Sequence, residues 1–503
     1  MGFPRRVCIH AWRFRRPSLR SIVFSVVLGT LLFTGMVATP SAANTTWTVG
    51  IEPTYPPFGF RDTDSDSLTG FDVELMEAVS QQAGHPIDWM PMPFDGLIPA
   101  LQANSLDMAI SAVTITEQRS KAVTFSKPYF QSNQAIASRV SSPPMTGIED
   151  LTGRSIAVQI GTTGAINAAK IKNAEVITFD SNPLALQELS NGNVDAVLSD
   201  RPAILYAIDQ AGMQGIRLTD LADSQEFFGI LLPKNSQLEE SINSSLTKVI
   251  QQGTYADIYR RWFGADPPPL PDHAIASTET QTDSLNLVWV MGNLLKGAWI
   301  TLVLTLLSFT FGILGGSALA VLLQTPWRIA RLCCQVYIDF FRGTPMLVQL
   351  FLIYFGLPAL LQTMGMNWTI PRLPAAVAAF SMNGAAYLAE ILRSGIESID
   401  RGQWEAADSL GFSPVARMQY LIAPQAVRRV LPPLSNEFIT LIKDTSLAAV
   451  IGFDELFRQG QLMVATTYRA FAIYCAVALV YLIFTTSASL LFKRLERRLS
   501  LPG

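Results

Sequence analysis

Hydrophobic and polar positions fall into three regimes along the chain. Residues 1–43 open with Arg5, Arg6, Arg13, Arg15, Arg16 and Arg20, run apolar over 22–37, and leave through Pro40-Ser41-Ala42-Ala43. A basic start, an apolar middle and a small-residue exit are the three parts of a secretory signal peptide. The run is close to the shortest that spans a bilayer, so an uncleaved anchor is the competing reading. Both export the chain from Asn44 onward, and no cysteine stands at the exit to carry a lipid.

From 44 to 268, short β-rich runs alternate with helical patterns. Strands are predicted over 46–51, 87–90, 108–112, 155–159, 176–179 and 196–199, and helices over 71–83, 96–103, 184–190 and 237–252. This alternation predicts parallel sheets with helices on both faces, which bind ligands beyond the carboxyl ends of their strands. The pattern starts at Trp47 and again at Arg154, as two lobes with a cleft between them would require.

The third regime follows a tether. Ala265-Asp266-Pro267-Pro268-Pro269-Leu270-Pro271 and a Ser/Thr-rich stretch to Ser284 read as an extended linker, drawn here as 269–287. Five apolar spans are then predicted, over 288–323, 338–361, 372–396, 434–451 and 471–492. The first is long enough to begin with an interfacial helix. Trp289, Trp299, Trp327 and Trp368 stand near predicted span boundaries, where aromatic belts form.

Composition agrees with a membrane part joined to a soluble part. Charged residues make up 15% of the chain, against roughly 25% in soluble proteins, which excludes disorder, a coiled coil or a nucleic-acid-binding arm. The net charge of −3 hides a segregation: 14 basic against 29 acidic residues over 44–284, and 17 against 11 over 285–503. An exported start and five crossings put the carboxyl terminus inside. Arg328 and Arg331 then fall in one inner loop, Arg417, Arg428 and Arg429 in the next, and Lys493, Arg494, Arg497 and Arg498 in the tail. The four cysteines (8, 333, 334, 475) avoid the exported middle, which must be stable without disulfides. The three histidines have no partner at metal-ligand spacing, so no metal is expected.

Within 44–264, Gly50-Ile51-Glu52-Pro53-Thr54-Tyr55-Pro56-Pro57-Phe58, Gly70-Phe71-Asp72, Phe94-Asp95-Gly96-Leu97-Ile98-Pro99-Ala100-Leu101 and Ile115-Thr116-Glu117-Gln118-Arg119 closely resemble the polar-amino-acid solute-binding proteins of ATP-binding-cassette importers. The resemblance implies an α/β two-lobed, periplasmic-binding-protein-like domain of type II over 44–268. Its crossover strands would lie near 133–140 and 227–232, giving lobe one as 44–133 plus 228–268 and lobe two as 134–227.

The residues argue for the same cleft chemically. A free amino acid presents a carboxylate, an ammonium and a side chain, and a buried cleft must satisfy all three. Arg119 offers a planar fork for a carboxylate, and Thr114 could reach the same oxygens. The junction Ile160-Gly161-Thr162-Thr163-Gly164 places backbone N–H groups at a helix start, where an anion is favoured. Asp200 can take the ammonium. The resemblance assigns the α-groups of the ligand to Ser111, Thr114, Arg119, Thr163 and Asp200. Plainer readings stand beside these. A lone arginine is ordinarily solvated, Thr162, Thr163 and Asp200 could cap helices, and Tyr55, Phe58 and Phe94 could be core aromatics, although the proline-flanked setting favours cleft walls for Tyr55 and Phe94. Glu52 matches a family position that contacts the ligand side chain. A carboxylate there favours arginine, lysine, histidine or glutamine and repels glutamate or aspartate.

In the membrane part, Glu405-Ala406-Ala407, Gly411 and Leu421-Ile422-Ala423-Pro424 resemble the permease signature of bacterial importers, a cytoplasmic coupling helix that docks on an ATPase. Phe341-Arg342-Gly343-Thr344-Pro345 and Tyr387-Leu388-Ala389-Glu390 resemble its amino-acid (histidine/glutamine-type) branch. Leu421 and Ala423 replace the usual Ile and Leu. The resemblance implies an all-α, five-helix transmembrane permease domain over 288–503. Glu-Ala-Ala by itself is only good helix sequence, and Glu390 and Arg393 could simply pair. No Gly-Lys dipeptide occurs, so no Walker-type phosphate loop exists and no cofactor is expected on this chain. A separate cytoplasmic ATPase would use the ATP, binding around 402–425. Five spans are few for an alternating-access path, which suggests a permease homodimer carrying two receptors in the bacterial inner membrane, with the receptors on the periplasmic face.

Two other functions use the same two-lobed module. A ligand-gated channel of the glutamate-receptor type interrupts the module with its pore, whereas here every span follows it. An exported dehydratase would need neither spans nor a coupling loop.

Overall fold

The computed structural model describes residues 46–62, 64–272, 287–366 and 368–499. The signal segment and most of the linker therefore lie outside the described residues. The receptor strands are, in chain order, β1 (Trp47–Ile51), β2 (Thr54–Tyr55), β3 (Gly59–Arg61), β4 (Leu68–Thr69), β5 (Ile87–Pro91), β6 (Met108–Ala109), β7 (Thr124–Phe125), β8 (Phe130–Arg139), β9 (Ser155–Gln159), β10 (Glu175–Phe179), β11 (Ala196–Asp200), β12 (Ile216–Phe228) and β13 (Leu231–Leu232). They form one five-stranded sheet ordered β5-β1-β6-β13-β7, a second ordered β10-β9-β11-β8-β12, and a small β2-β3-β4 ribbon.

Each large sheet has a parallel centre and antiparallel strands. β1 pairs parallel with β5 and β6, and β9 with β10 and β11. The antiparallel partners are β13 in the first sheet, and β8 and β12 in the second. The parallel sheets expected from strand–helix alternation are thus parallel at their centres and joined by antiparallel strands. β8 and β12 carry the chain between the lobes in opposite directions, so they must pair antiparallel. Phe130–Asn133 faces Gln225–Phe228, and the register shifts between Asp220 and Gln225 before pairing resumes at Ala135.

Local chemistry places the first lobe's main helix. Phe71–Ala83 buries Phe71, Leu75, Met76 and Val79, an apolar stripe at helical spacing. It begins at Gly70, whose φ of 131° and lack of a Cβ let the chain pass against the Phe58 carbonyl, where a Cβ would come within 2.1 Å. Gly84, at φ 80°, closes it in the left-handed conformation. Under this helix Phe58, Phe71, Phe130, Phe228 and Phe263 form an aromatic core, with Phe58–Phe130 centroids 5.0 Å apart and edge-on. Two of its rings, Phe130 and Phe228, belong to the crossing strands, so the lobe-one core also anchors the hinge.

In the permease, helix Leu287–Leu323 packs along helix Arg372–Glu397 through small residues. A Cβ on Gly316 would lie 2.8 Å from Leu388 Cβ and 3.0 Å from the Ala385 carbonyl, an approach only glycine permits. Among the described residues three helices are long and apolar enough to cross a membrane: Leu287–Leu323, Arg372–Glu397 and Ala470–Arg498. A fourth arises if the pair Arg328–Gly343 and Met346–Leu361, bent by 110° at Thr344-Pro345, is one span. The span expected over 434–451 is built differently. It is the end of a proline-containing helix, Ala423–Asp444, followed by a 3₁₀ turn, Thr445–Ile451, that stops at Gly452. Glu437, Lys443 and Asp444 make it too polar to count as a span by hydropathy. The 26-residue helix Arg372–Glu397, about 39 Å long at 1.5 Å per residue, meets the receptor at its first residue and the helix Arg401–Ser409 beyond its last.

Candidate ligand-binding site

Between the facing ends of the two sheets lies a narrow cavity lined by Tyr55, Phe94, Ala112, Thr114, Arg119, Gln159, Thr162, Thr163 and Asp200. Arg119 sits in the short helix Glu117–Ala122, whose N-cap Thr116 accepts from the Arg119 N–H. Its guanidinium is buried, donates 2.8 Å bonds to the Thr114 and Gly161 carbonyls, and lies 5.6 Å over the Phe94 ring. The Gly161 bond joins the lobes, and the remaining N–H groups stay available to a carboxylate.

Asp200 ends β11 and precedes helix Arg201–Asp209, yet its side chain makes no capping bond. It accepts instead from Tyr55 Oη at 2.5 Å, across the lobes. Burial, and then the neighbouring Glu226 charge, push its carboxyl up to about 7. Thr162 does cap its helix, accepting from the Ala165 N–H at 3.2 Å, while Thr163 Oγ1 donates to Glu226 Oε2 at 2.8 Å.

Glu52 lies behind the wall rather than on it. Its Oε1 accepts from Thr54 Oγ1 at 2.8 Å and Gln159 Nε2 at 2.6 Å, while Oε2 is buried with no partner. Burial pushes this carboxyl up to about 7, and Asp95 and Asp180 add to the effect. Ser111 does not line the cavity either; its Oγ accepts from the Glu52 N–H at 3.2 Å and so fixes that backbone. Phe58 does not line the cavity: it is buried in the lobe-one aromatic core, where its ring packs on Phe71, Phe130 and Phe228.

The residues missed at the site are mostly polar ones on the crossing strands. Glu226, on β12, accepts from Thr114 Oγ1 at 2.6 Å, Thr163 Oγ1 at 2.8 Å and Gln134 Nε2 at 2.7 Å, tying both lobes at the back of the cavity. Burial raises its carboxyl. Its only sequence signal was a carboxylate directly ahead of Phe227-Phe228, where the resemblance places a crossing strand.

The permease helix Leu456–Thr467 bridges both lobes beside the cavity. Arg458, wholly inaccessible, donates to Asp180 Oδ1 at 2.5 Å and Thr178 Oγ1 at 3.1 Å, and also bonds the Thr178 carbonyl. Gln118 of lobe one bonds the Thr466 carbonyl. Tyr354 donates to the buried Glu188 at 2.5 Å, and Arg372 to Glu175 at 2.8 Å. A second small cavity lies where Phe94, Arg119 and Gly161 meet the permease's Ala465 and Tyr468.

At the far end of the permease, Glu405 and Ala406 are exposed on helix Arg401–Ser409, and Ala407 is buried. Gly411, at φ 74°, turns the chain, and Pro424 lies exposed in the first turn of Ala423–Asp444. Arg417 pairs with Asp408 and lies 5.1 Å over the Trp404 ring, bracing a loop whose Leu410, Val415 and Tyr420 are more than 60% exposed. Arg393 bridges Glu390 and Glu397, each at 2.7 Å.

Residues 47–265 match the family described as bacterial extracellular solute-binding proteins, family 3, and residues 310–501 match binding-protein-dependent transport system inner membrane components. A probable amino-acid permease of Bacillus subtilis, YxeN, is 40% identical over 209 residues, 42% of this chain and 92% of its own. The glutamine transport system permease GlnP of Escherichia coli is 41% identical over 208 residues, 41% of this chain and 93% of its own. Among solved structures, an ancestral arginine-binding protein bound to arginine is 40% identical with a TM-score of 0.42, covering 44% of this chain and 98% of that one. The two matches, a solute-binding domain and an inner-membrane transport component, imply a separate ATPase partner. The chain belongs to the amino-acid permeases of the binding-protein-dependent, ATP-binding-cassette importers, with a family 3 solute-binding domain fused ahead of the inner-membrane component.

Proposed function

We propose that this importer subunit captures arginine, lysine, histidine or glutamine in preference to acidic amino acids. The unpartnered Glu52 Oε2, buried beside the cavity, carries that reading. An ionised oxygen there needs a donor, which a guanidinium, ammonium, imidazolium or carboxamide supplies and a second carboxylate does not. Arg119 takes the ligand carboxylate, Asp200 its ammonium, and Tyr55 and Phe94 flank it, with Thr114, Thr162 and Thr163 around the α-groups and Ser111 holding the Glu52 backbone.

The same reading divides the chain into a signal (1–43), a receptor (44–268), a linker (269–287) and a five-crossing permease (288–503). Receptor contacts at Arg372 and the coupling helix past Glu397 lie at opposite ends of one helix, which supports a receptor outside and a coupling helix and carboxyl terminus inside. The exposed Leu410, Val415 and Tyr420 belong to the same 402–425 segment as Glu405 and offer the ATPase an apolar footprint. Two such chains form the pathway as a homodimer. Titration calorimetry of the full chain in lipid nanodiscs with the twenty amino acids tests the specificity. One or more of the four basic or amide ligands binds most tightly; tighter binding of glutamate than of all four overturns it.

A further inference from the structure

A chain of polar contacts runs from the side-chain end of the cavity to a cation of the permease. Gln159 Nε2 donates to Glu52 Oε1 at 2.6 Å and reaches the Asp180 carbonyl at 3.3 Å. The Asp180 carboxylate holds Arg458 Nη1 at 2.5 Å. Asp95, in the first turn of helix Phe94–Gln102, joins the group from lobe one: burial raises its carboxyl, Asp180 adds to this and Arg458 opposes it. Glu52, Asp95 and Asp180 thus make an acidic rim contributed by both lobes, and Arg458 is the permease residue inserted into it.

Behind the Gln159 wall of the cavity, a receptor undocked from the permease holds three neighbouring carboxylates whose field an incoming cationic side chain meets. Docking adds a fixed guanidinium to the same field, in a region withdrawn from water where charges are weakly screened. A ligand guanidinium or ammonium at Glu52 is then opposed by a like charge, whereas a neutral carboxamide is not. We propose that Arg458 is a release-coupling residue: by occupying the acidic rim of the side-chain subsite, it lowers the receptor's affinity for cationic amino acids while the receptor is docked for hand-over. The inference rests on the reading of Glu52 as the side-chain partner.

The test uses the full chain in lipid nanodiscs and equilibrium dialysis with radiolabelled arginine and glutamine. Arg458→Gln tightens arginine about tenfold relative to glutamine, the scale of one partly screened charge pair. Arg458→Met, which removes the charge without adding a polar group, shifts the ratio in the same direction, and Arg458→Lys keeps the wild-type ratio. Each comparison is made within one variant, so lost docking or partial unfolding that scales both affinities alike leaves the ratio unmoved and counts against the proposal. An unmoved ratio in both neutral variants, or a shift toward glutamine, overturns it. If the wild-type chain binds glutamate more tightly than either probe, the reading of Glu52 falls with it. If the wild type binds arginine but the ratio stays fixed, only the role of Arg458 falls.

Discussion

Replacing Glu52 by Gln separates the specificity assignment from every other contact at the cavity. Burial holds this carboxyl near 7 against an ordinary 4.5, which at 1.36 kcal/mol per unit is a cost of about 3 kcal/mol for ionising it in place. A cationic side chain offsets that cost by giving Oε2 a charged donor, and a carboxamide does so more weakly. Glutamine at position 52 keeps an acceptor for Thr54 and Gln159 but presents no charge. Arginine affinity is therefore expected to fall by about 2–3 kcal/mol, or roughly 30- to 150-fold, and glutamine affinity by less than about fivefold. The pH dependence has a definite sign. Arginine binding favours the ionised carboxylate, so below pH 7 it must expel a proton, and the arginine-to-glutamine affinity ratio rises from pH 6 to pH 8. Asp200, which also titrates near 7, meets the ammonium of both ligands and cancels in the ratio. Titration calorimetry of the full chain at three pH values, in buffers of different ionisation enthalpy, measures both. Equal losses for the two ligands, or a wild-type ratio flat with pH, would refute the reasoning.

Other expectations follow from the same packing and electrostatics. Glu52, Asp72 and Asp200 are each raised to about 7 by burial, so between pH 4 and 7 the folded receptor binds more protons than the unfolded chain. Without added ligand, the receptor unfolding transition should then move down as pH rises through that window and level off above it. A melting temperature that climbs from pH 5 to pH 7.5 contradicts this. Phe58→Ala removes a ring from the aromatic core and should cost about 3–5 kcal/mol, seen as a lower melting temperature with the arginine-to-glutamine ratio intact; a changed ratio at unchanged stability would return Phe58 to the cleft. Gly316→Leu drives a side chain into Leu388 and the Ala385 carbonyl and should abolish a monodisperse peak in size-exclusion chromatography. Gly292→Leu, with nothing within 4 Å, serves as the tolerated control.

Local punctuation made part of the fold legible. Gly70 and Gly84 bracket the helix Phe71–Ala83, and the β-branched run Ser155–Gln159 reads as a strand without any neighbour. What depends on distant pairing did not read. β12 runs through Thr219-Asp220 and Ser224-Gln225-Glu226, polar residues that become a strand only because β8 supplies their hydrogen bonds. Helices Glu117–Ala122 and Thr254–Phe263 were likewise missed, being short and held by tertiary contacts. At the site, Arg119 and Asp200 announced themselves by motif and lie on the cavity wall. Phe58 lies in the core, and its place after Pro56-Pro57 does not by itself tell a core ring from a cleft wall. Arg458 gave no signal, since its partner Asp180 is 278 residues away. Over 434–451 the apolar run takes in Glu437, Lys443 and Asp444 and folds as a helix end and a 3₁₀ turn, so by length and composition alone it does not stand out as a crossing.

The central claim is that one polypeptide catches an amino acid and passes it to its own permease, driven by an ATPase that grips the loop around Glu405. Reconstitution of the chain with its ATPase subunit into proteoliposomes, with radiolabelled arginine or glutamine on the receptor side, tests it directly. ATP-dependent accumulation is expected in the wild type. Glu405→Lys is expected to abolish accumulation while leaving ligand binding unchanged. Accumulation that survives Glu405→Lys, or that proceeds without the ATPase, would contradict the account.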